Sequence, residues 1–157
     1  MITPTRPSLP LTGGCLCGAI RYEVGAYPSL IYACHCTNCQ RQSGSAFAMN
    51  MPVATDAFRI VHGEPKGWRR LSSSGAESVS WFCGDCAGRI HGSRPGRVKS
   101  VTVRAGSLDD TSWLTPAAHL FVRSAQRWIQ LPKADCFDEL PPDFSLLAKT
   151  FQARWSL

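Results

Sequence analysis

The sequence predicts a mainly β fold: a single domain of small antiparallel sheets stapled by zinc, with a short helix after Cys36 and a second helix at the C-terminus. Three observations carry that prediction. Short segments alternating apolar and polar residues recur along most of the chain, a helical apolar stripe is clear only once, and the eight cysteines fall mainly into tight clusters. With 157 residues, 44% hydrophobic and 18% charged, the chain has the size and composition of one globular domain. It holds no apolar run of the roughly 18 residues needed to span a bilayer. The opening "MITPTRPSLPLTGG" lacks the apolar centre of a signal peptide, which implies a cytoplasmic protein.

Residues 1–12 carry three prolines and no periodicity and read as an N-terminal tail. From Gly13, "AIRYEV" alternates Ile20, Tyr22 and Val24 on one face, and "AFAMNMPV" does the same with Phe47, Met49, Met51 and Val53. "FRIV", "SVSWF", "SVTVRA", "HLFV" and "RWIQL" follow as short strands bounded by turn formers. A helical turn is expected from about Thr37, ending at Gly44, where glycine can take the left-handed cap. In "DFSLLAKTFQARW", Phe144, Leu147, Phe151 and Trp155 recur at helical spacing behind Asp143 as N-cap. The organisation expected is thus a tail over 1–12, a zinc-binding domain over 13–132, and an extension over 133–157 whose amphipathic helix packs on that domain.

Disulfides are disfavoured in a reducing compartment, and cysteines two apart, as in "CLC" and "CHC", are poorly placed to bridge each other. Metal binding is therefore the leading reading. Cys15 with Cys17, and Cys83 with Cys86, are two short units far apart in sequence, each beside glycines, and together make a closed four-sulfur structural zinc site. Cys34, Cys36 and Cys39 can converge on a second ion once the chain turns into helix after Cys36. No fourth cysteine lies nearby, and a zinc with three protein ligands keeps a position for water or substrate. Two alternatives stand beside this open site: Cys136 closes it as a fourth ligand, or the cluster is a redox relay. His35, flanked by two ligands in an extended segment, is expected to face the core or to donate a supporting hydrogen bond.

The net charge is +6, which ordinarily suggests an acidic partner. Zinc on four thiolates carries −2 and on three −1, so loading both sites lowers the effective charge to +3. Beside the ligands, "QRQSGSAF" offers Arg41, Ser43, Gly44, Ser45 and Phe47 as substrate-binding candidates: a guanidinium for carboxylates, hydroxyls, close backbone approach and a wall against water. Arg94, Arg97 and Lys99 could bind the same carboxylates, but Gly, Ser and Pro around them read as an exposed hairpin loop. Interleaved aromatics and C₂H₂ finger spacing are both missing, which argues against nucleic acid. His62, His91 and His119 share no ligand-like spacing, and His119 is expected to hold a structural hydrogen bond in or beside a strand.

The ordered segments "GGCLCGAIRYEV", "CHCTNCQRQSGSAF", "FCGDCAGRI", "VTVRAGSLDD" and "PAAHLFVRSAQRW" resemble the family of glutathione-dependent formaldehyde-activating enzymes, which also contains centromere protein V. The resemblance covers about residues 13–129. It implies a β fold around two zinc ions, a structural one on Cys15, Cys17, Cys83 and Cys86 and a catalytic one on Cys34, Cys36 and Cys39, and whether the second stays bound at rest is left open. It also implies a carbon–sulfur lyase-type activity joining glutathione, or a similar small thiol, to formaldehyde or another small aldehyde. The rival expectation is a non-catalytic, zinc-stabilised binding module for an acidic partner or nucleic acid. One departure shows: where the family usually has glycine directly after the CxxC unit, this chain has Ala87, with the glycine delayed to Gly88.

Overall fold

The computed structural model describes residues 6–71, 75–132 and 135–153. Among them the strands are β1 (Leu11–Gly14), β2 (Arg21–Val24), β3 (Tyr32–Cys34), β4 (Ala48–Ala54), β5 (Phe58–His62), β6 (Lys66–Leu71), β7 (Glu77–Phe82), β8 (Arg89–Ser93), β9 (Ser100–Arg104), β10 (Ala118–Leu120) and β11 (Cys136–Phe137). The helices are α1 (Thr37–Ser43) and α2 (Phe144–Ala153), and short 3₁₀ turns join some strands. The fold is mainly β, as the alternation implies. No helix among the described residues is long and apolar enough to cross a membrane.

The chain forms two compact units. The first is built from the described parts of Met1–Pro28 and Pro52–Trp113. It holds an antiparallel sheet in the order β1-β2-β5 and an antiparallel run β9-β8-β7-β6. In β2 the alternation works as expected, since Tyr22 and Val24 are fully buried with Ile20 just before them. The Tyr22 hydroxyl meets Ser107 Oγ at 2.9 Å, and burial pushes its pKa up to about 12. Arg21, on the opposite face, pairs with Asp109, which also accepts from Thr12 Oγ1 at 2.6 Å. The Arg21 guanidinium and the Thr12 hydroxyl hold the Asp109 carboxyl below its usual range.

The second unit comprises Ser29–Met51 and the described part of Leu114–Leu157. Its strands run β11-β10-β3-β4, with β10 parallel to both β11 and β3, and β3 antiparallel to β4. α1 ends as expected: Gly44 takes φ +63° and its N–H closes on Gln40 O. α2 buries Leu147 and Phe151 and sets Phe144 edge-on to Tyr32, while Asp143 accepts from Ser145 N at 2.7 Å at its start. Trp155, expected on the same stripe, lies outside the described residues.

Three expectations need correction. β1 begins at Leu11, which is buried, so the last two residues of the expected tail are strand. Along β4 the buried residues are Ala48, Asn50, Met51 and Val53, with Met49 half-buried, so the simple Met49/Met51/Val53 face slips by one residue at its centre. "RWIQL" is not a strand. Ile129 N donates to Gln126 O in a turn, and Trp128 is 72% exposed, so its β-forming residues gain no sheet.

His91 in β8 sits in a ring stack, 4.6 Å from Phe58 and 5.8 Å from Trp81, with no hydrogen-bond partner for Nδ1 among the described residues. Burial, with Arg89 adding to it, pushes its pKa down to about 4. The folded state thus takes up this proton less readily than the unfolded chain, where histidine titrates near 6.5. The resulting stability is fully present above pH ~6.5 and is lost as the pH falls towards 4; a shift of that size corresponds to ~3 kcal/mol. His91→Phe should flatten the loss between those pH values by about that amount in urea unfolding at saturating zinc, and identical pH slopes in the two proteins would refute the assignment.

Candidate metal centres

Two knuckles of the first unit carry the four-cysteine cluster. Between β1 and β2, Cys15 N donates to Ile20 O at 3.1 Å and Gly18 N to Cys15 O at 3.2 Å. Between β7 and β8, Cys83 N donates to Gly88 O at 2.9 Å and Ala87 N to Cys83 O at 3.0 Å. In both knuckles the residue after the second cysteine is left-handed, Gly18 at φ +81° and Ala87 at φ +59°. The turn therefore explains the family's glycine, and this chain meets the same backbone requirement with alanine.

The four sulfurs lie within 4.8 Å of one another. Cys15 and Cys17 Sγ are 3.5 Å apart and Cys17 and Cys83 Sγ are 3.8 Å apart. Metal–sulfur bonds of ~2.3 Å in a tetrahedron put ligand sulfurs about 3.8 Å from each other, so the residues fit a zinc-sized ion. All eight cysteines are free thiols, so no disulfide accounts for this proximity. Backbone amides also aim at the sulfurs, Ile20 N to Cys15 at 3.2 Å and Asp85 N to Cys83 at 3.4 Å. The amides of Cys17 and Gly88 hold the Cys86 thiol down to about 6. The Ala19 amide also lowers Cys17, but the crowding sulfurs of Cys15 and Cys86 outweigh it and push that thiol up to about 12. The cluster competes within itself for protons, which a divalent cation would replace.

The second unit carries the three-cysteine cluster. Cys34 closes β3, Cys36 is the N-cap of α1 and Cys39 lies in its first turn, with all three sulfurs within 4.8 Å. Helix start and sulfur cluster are one device, because Cys36 Sγ accepts from Cys39 N at 3.4 Å as a capping side chain would. Hydrogen bonds from the Cys34 and Cys39 thiols, helped by the amides of Cys39 and Asn38, hold Cys36 down to about 2. The same two neighbours, Cys36 and Cys39, together with burial, push Cys34 strongly up.

Cys136 does not join this cluster. Its Sγ donates to Pro132 O at 3.2 Å, and it sits on β11, separated from β3 by β10. His35 is fully buried, as expected of it, and its Nε2 meets His119 Nδ1 at 3.0 Å while its ring packs 5.2 Å from Phe47. That pairing was not visible beforehand, because it requires β3 and β10 to lie parallel with His119 beside Ala33. Gln40 was also missed. Its Nε2 donates to His35 O at 2.7 Å and to Ser124 O at 2.8 Å, tying the peptide between Cys34 and Cys36 to the turn after β10.

The proposed substrate residues separate. Arg41, Gly44 and Ser45 line an open groove of about 490 Å³ together with Gln40, Ala46, Gln126 and Trp128; none of the three cysteines lines it. Ser43 is occupied locally, its hydroxyl bonded to Gln40 O, Phe47 O and Ser45 N. Phe47 packs on His35. Arg94, Arg97 and Lys99 form an exposed turn of the first unit, with Arg97 N on Arg94 O at 2.8 Å.

These clusters define a small β protein with two cysteine sites able to hold metal ions. A family model described as glutathione-dependent formaldehyde-activating enzyme matches residues 10–124. The chain belongs to that family. A Halomonas elongata protein provisionally named as a glutathione-dependent formaldehyde-activating enzyme is 26% identical over 142 residues, covering 85% of this chain and 90% of that protein. A crystal structure of a Rhodobacter sphaeroides protein superposes with a TM-score of 0.51 at 23% identity, over 63% of this chain and 88% of that one, and shows the shared fold.

Ala87 is exposed, so its methyl group gains little burial to offset the left-handed conformation, which costs an L-residue ~1–2 kcal/mol. Glycine's greater freedom in the unfolded chain returns ~0.5–1 kcal/mol of that. Ala87→Gly should therefore raise stability by about 0.5–1 kcal/mol, seen as a melting temperature higher by ~2 °C. An unchanged or lower melting temperature would contradict this reading of the turn.

Proposed function

We propose that Cys34, Cys36 and Cys39 hold a zinc ion with one position open, and that the protein there catalyses the reversible addition of a thiol such as glutathione to formaldehyde or another small aldehyde. The observation that carries the reading is a three-sulfur cluster without a fourth protein ligand among the described residues. Cys136 is bonded elsewhere, and neither His35 nor His119 belongs to the cluster of ligand atoms. Cys15, Cys17, Cys83 and Cys86 hold a second, closed zinc that stabilises the fold. Eight free cysteines and two thiolate sites suit a reducing compartment such as the cytoplasm.

In the reaction the thiol sulfur attacks the carbonyl carbon, a C–S bond forms as the C=O π bond breaks, and the thiol's proton ends on the new hydroxyl. When bound, zinc supplies charge that polarises a carbonyl or lowers the pKa of a thiol at neutral pH. The chain supplies position. Gln40 clamps the carbonyl of His35, and the amide of Cys39 fixes the Cys36 sulfur. His35, between Cys34 and Cys36, is itself held by His119 and packed against Phe47, which supports the backbone of the loop. Run in reverse, the same arrangement is a carbon–sulfur lyase.

Exchange between free glutathione with formaldehyde and their adduct can be followed by NMR exchange spectroscopy. Wild-type, zinc-loaded protein should accelerate it, and Cys36→Ser should return the rate to that of buffer while the protein stays folded. A fully loaded wild type that accelerates nothing would reject these substrates, and would move weight to a binding role for the exposed Arg94, Arg97 and Lys99 turn.

A further inference from the structure

The groove of the second unit combines features that the three-cysteine centre does not use. Arg41 is exposed on its wall and makes no hydrogen bond or ion pair with any described residue, and no acidic residue lines the groove. Opposite stands Trp128, 72% exposed, with its indole N–H held by Gln126 Oε1 at 2.7 Å. That bond fixes the ring while leaving its surface open to a ligand. Gln126 Nε2 in turn donates to Gln40 Oε1 at 3.3 Å, and Gln40 holds the carbonyl between Cys34 and Cys36. A chain of hydrogen bonds thus runs from the exposed indole to the metal-binding loop.

Charge and reach fit one kind of ligand. Arg41 and Cys39 are two residues apart in α1, so their side chains leave different sides of the helix, and the groove meets the cluster through Gln40, which lines it and bonds the carbonyl of His35. A thiol of tripeptide length, ~10 Å when extended, is the size needed to run from the cluster to an anion at Arg41. A lone guanidinium that meets no acid suits a carboxylate, which it binds with two parallel donors, and a fixed indole face suits a planar amide.

We propose that this groove is the subsite for the carboxylate-bearing, peptide-like arm of the thiol substrate, with Arg41 taking the carboxylate and Trp128 stacking on the amide. The proposal rests on the reading of the three-cysteine centre as the place where the thiol reacts. It assigns thiol selectivity to Arg41 and Trp128 and separates it from the chemistry at the sulfurs.

The test uses binding without turnover. γ-Glutamyl-2-aminobutyryl-glycine has the shape of glutathione with a methyl group in place of the thiol, and its affinity for the zinc-loaded protein is measured by calorimetry. Arg41→Ala and Trp128→Ala should each weaken binding about tenfold, and esterifying the glycine carboxylate should weaken it for wild type but not further for Arg41→Ala. Arg127→Ala, which alters an exposed residue outside the groove, should leave the affinity unchanged. No binding to wild type, or equal affinity in wild type, Arg41→Ala and Trp128→Ala, would overturn the subsite. The two readings fail separately. Binding that depends on Arg41 and Trp128 in a protein without exchange activity would keep the groove and reject the reaction. Exchange of small uncharged thiols that Arg41→Ala leaves untouched, with no binding of the analogue, would keep the reaction and reject the groove.

Discussion

The first unit brings four sulfurs within 4.8 Å of one another from knuckles 66 residues apart. Four thiols have no reason to crowd in this way by hydrophobic burial, since Cys17 is exposed and the others are only partly enclosed except for Cys83. Their proximity makes sense when a divalent cation takes the place of the protons they compete for. The knuckles are shaped to that end: each turns through a left-handed residue directly after its second cysteine and points amides at sulfur. The strands then follow from where the knuckles stand. β1 and β2 leave the first, β7 and β8 leave the second, and the Tyr22–Ser107 and Arg21–Asp109 contacts brace the sheet immediately after Cys17.

The second unit uses the same chemistry to a different end. Here one local segment supplies all three sulfurs, so the cluster closes no long loop and contributes less to fixing the chain. On the proposed reading it gains an open coordination position next to a support. The support is made by side chains that are not ligands: Gln40 across to Ser124, His35 to His119, and Phe47 against His35. Two sulfur clusters can thus coexist in 157 residues because one draws on distant knuckles and the other on a single strand-to-helix turn.

What was legible in the sequence follows from range. Ligand spacing, the Cys36-to-Gly44 helix and the Phe144/Leu147/Phe151 stripe are set by residues within a few positions of each other, and each reads directly. The Ile20/Tyr22/Val24 face reads for the same reason. Features that depend on register did not. Nothing local reveals that Asn50 goes inside, that His119 lies beside Ala33 in a parallel pair, or that Gln40 reaches Ser124. "RWIQL" misleads because strand-forming residues were placed in a turn, leaving Trp128 in the open.

The central claim is that the two cysteine clusters are separate metal sites with separate jobs. Native mass spectrometry during a chelator titration, with circular dichroism on the same samples, tests it directly. Two zinc ions per chain should be seen, the first leaving at low chelator with the fold intact and the second leaving with unfolding. Cys36→Ser should remove only the first step, whereas Cys83→Ser should lose the fold, since a structural zinc contributes on the order of 10 kcal/mol. One metal per chain, or both ions leaving together in a single unfolding step, would contradict the account.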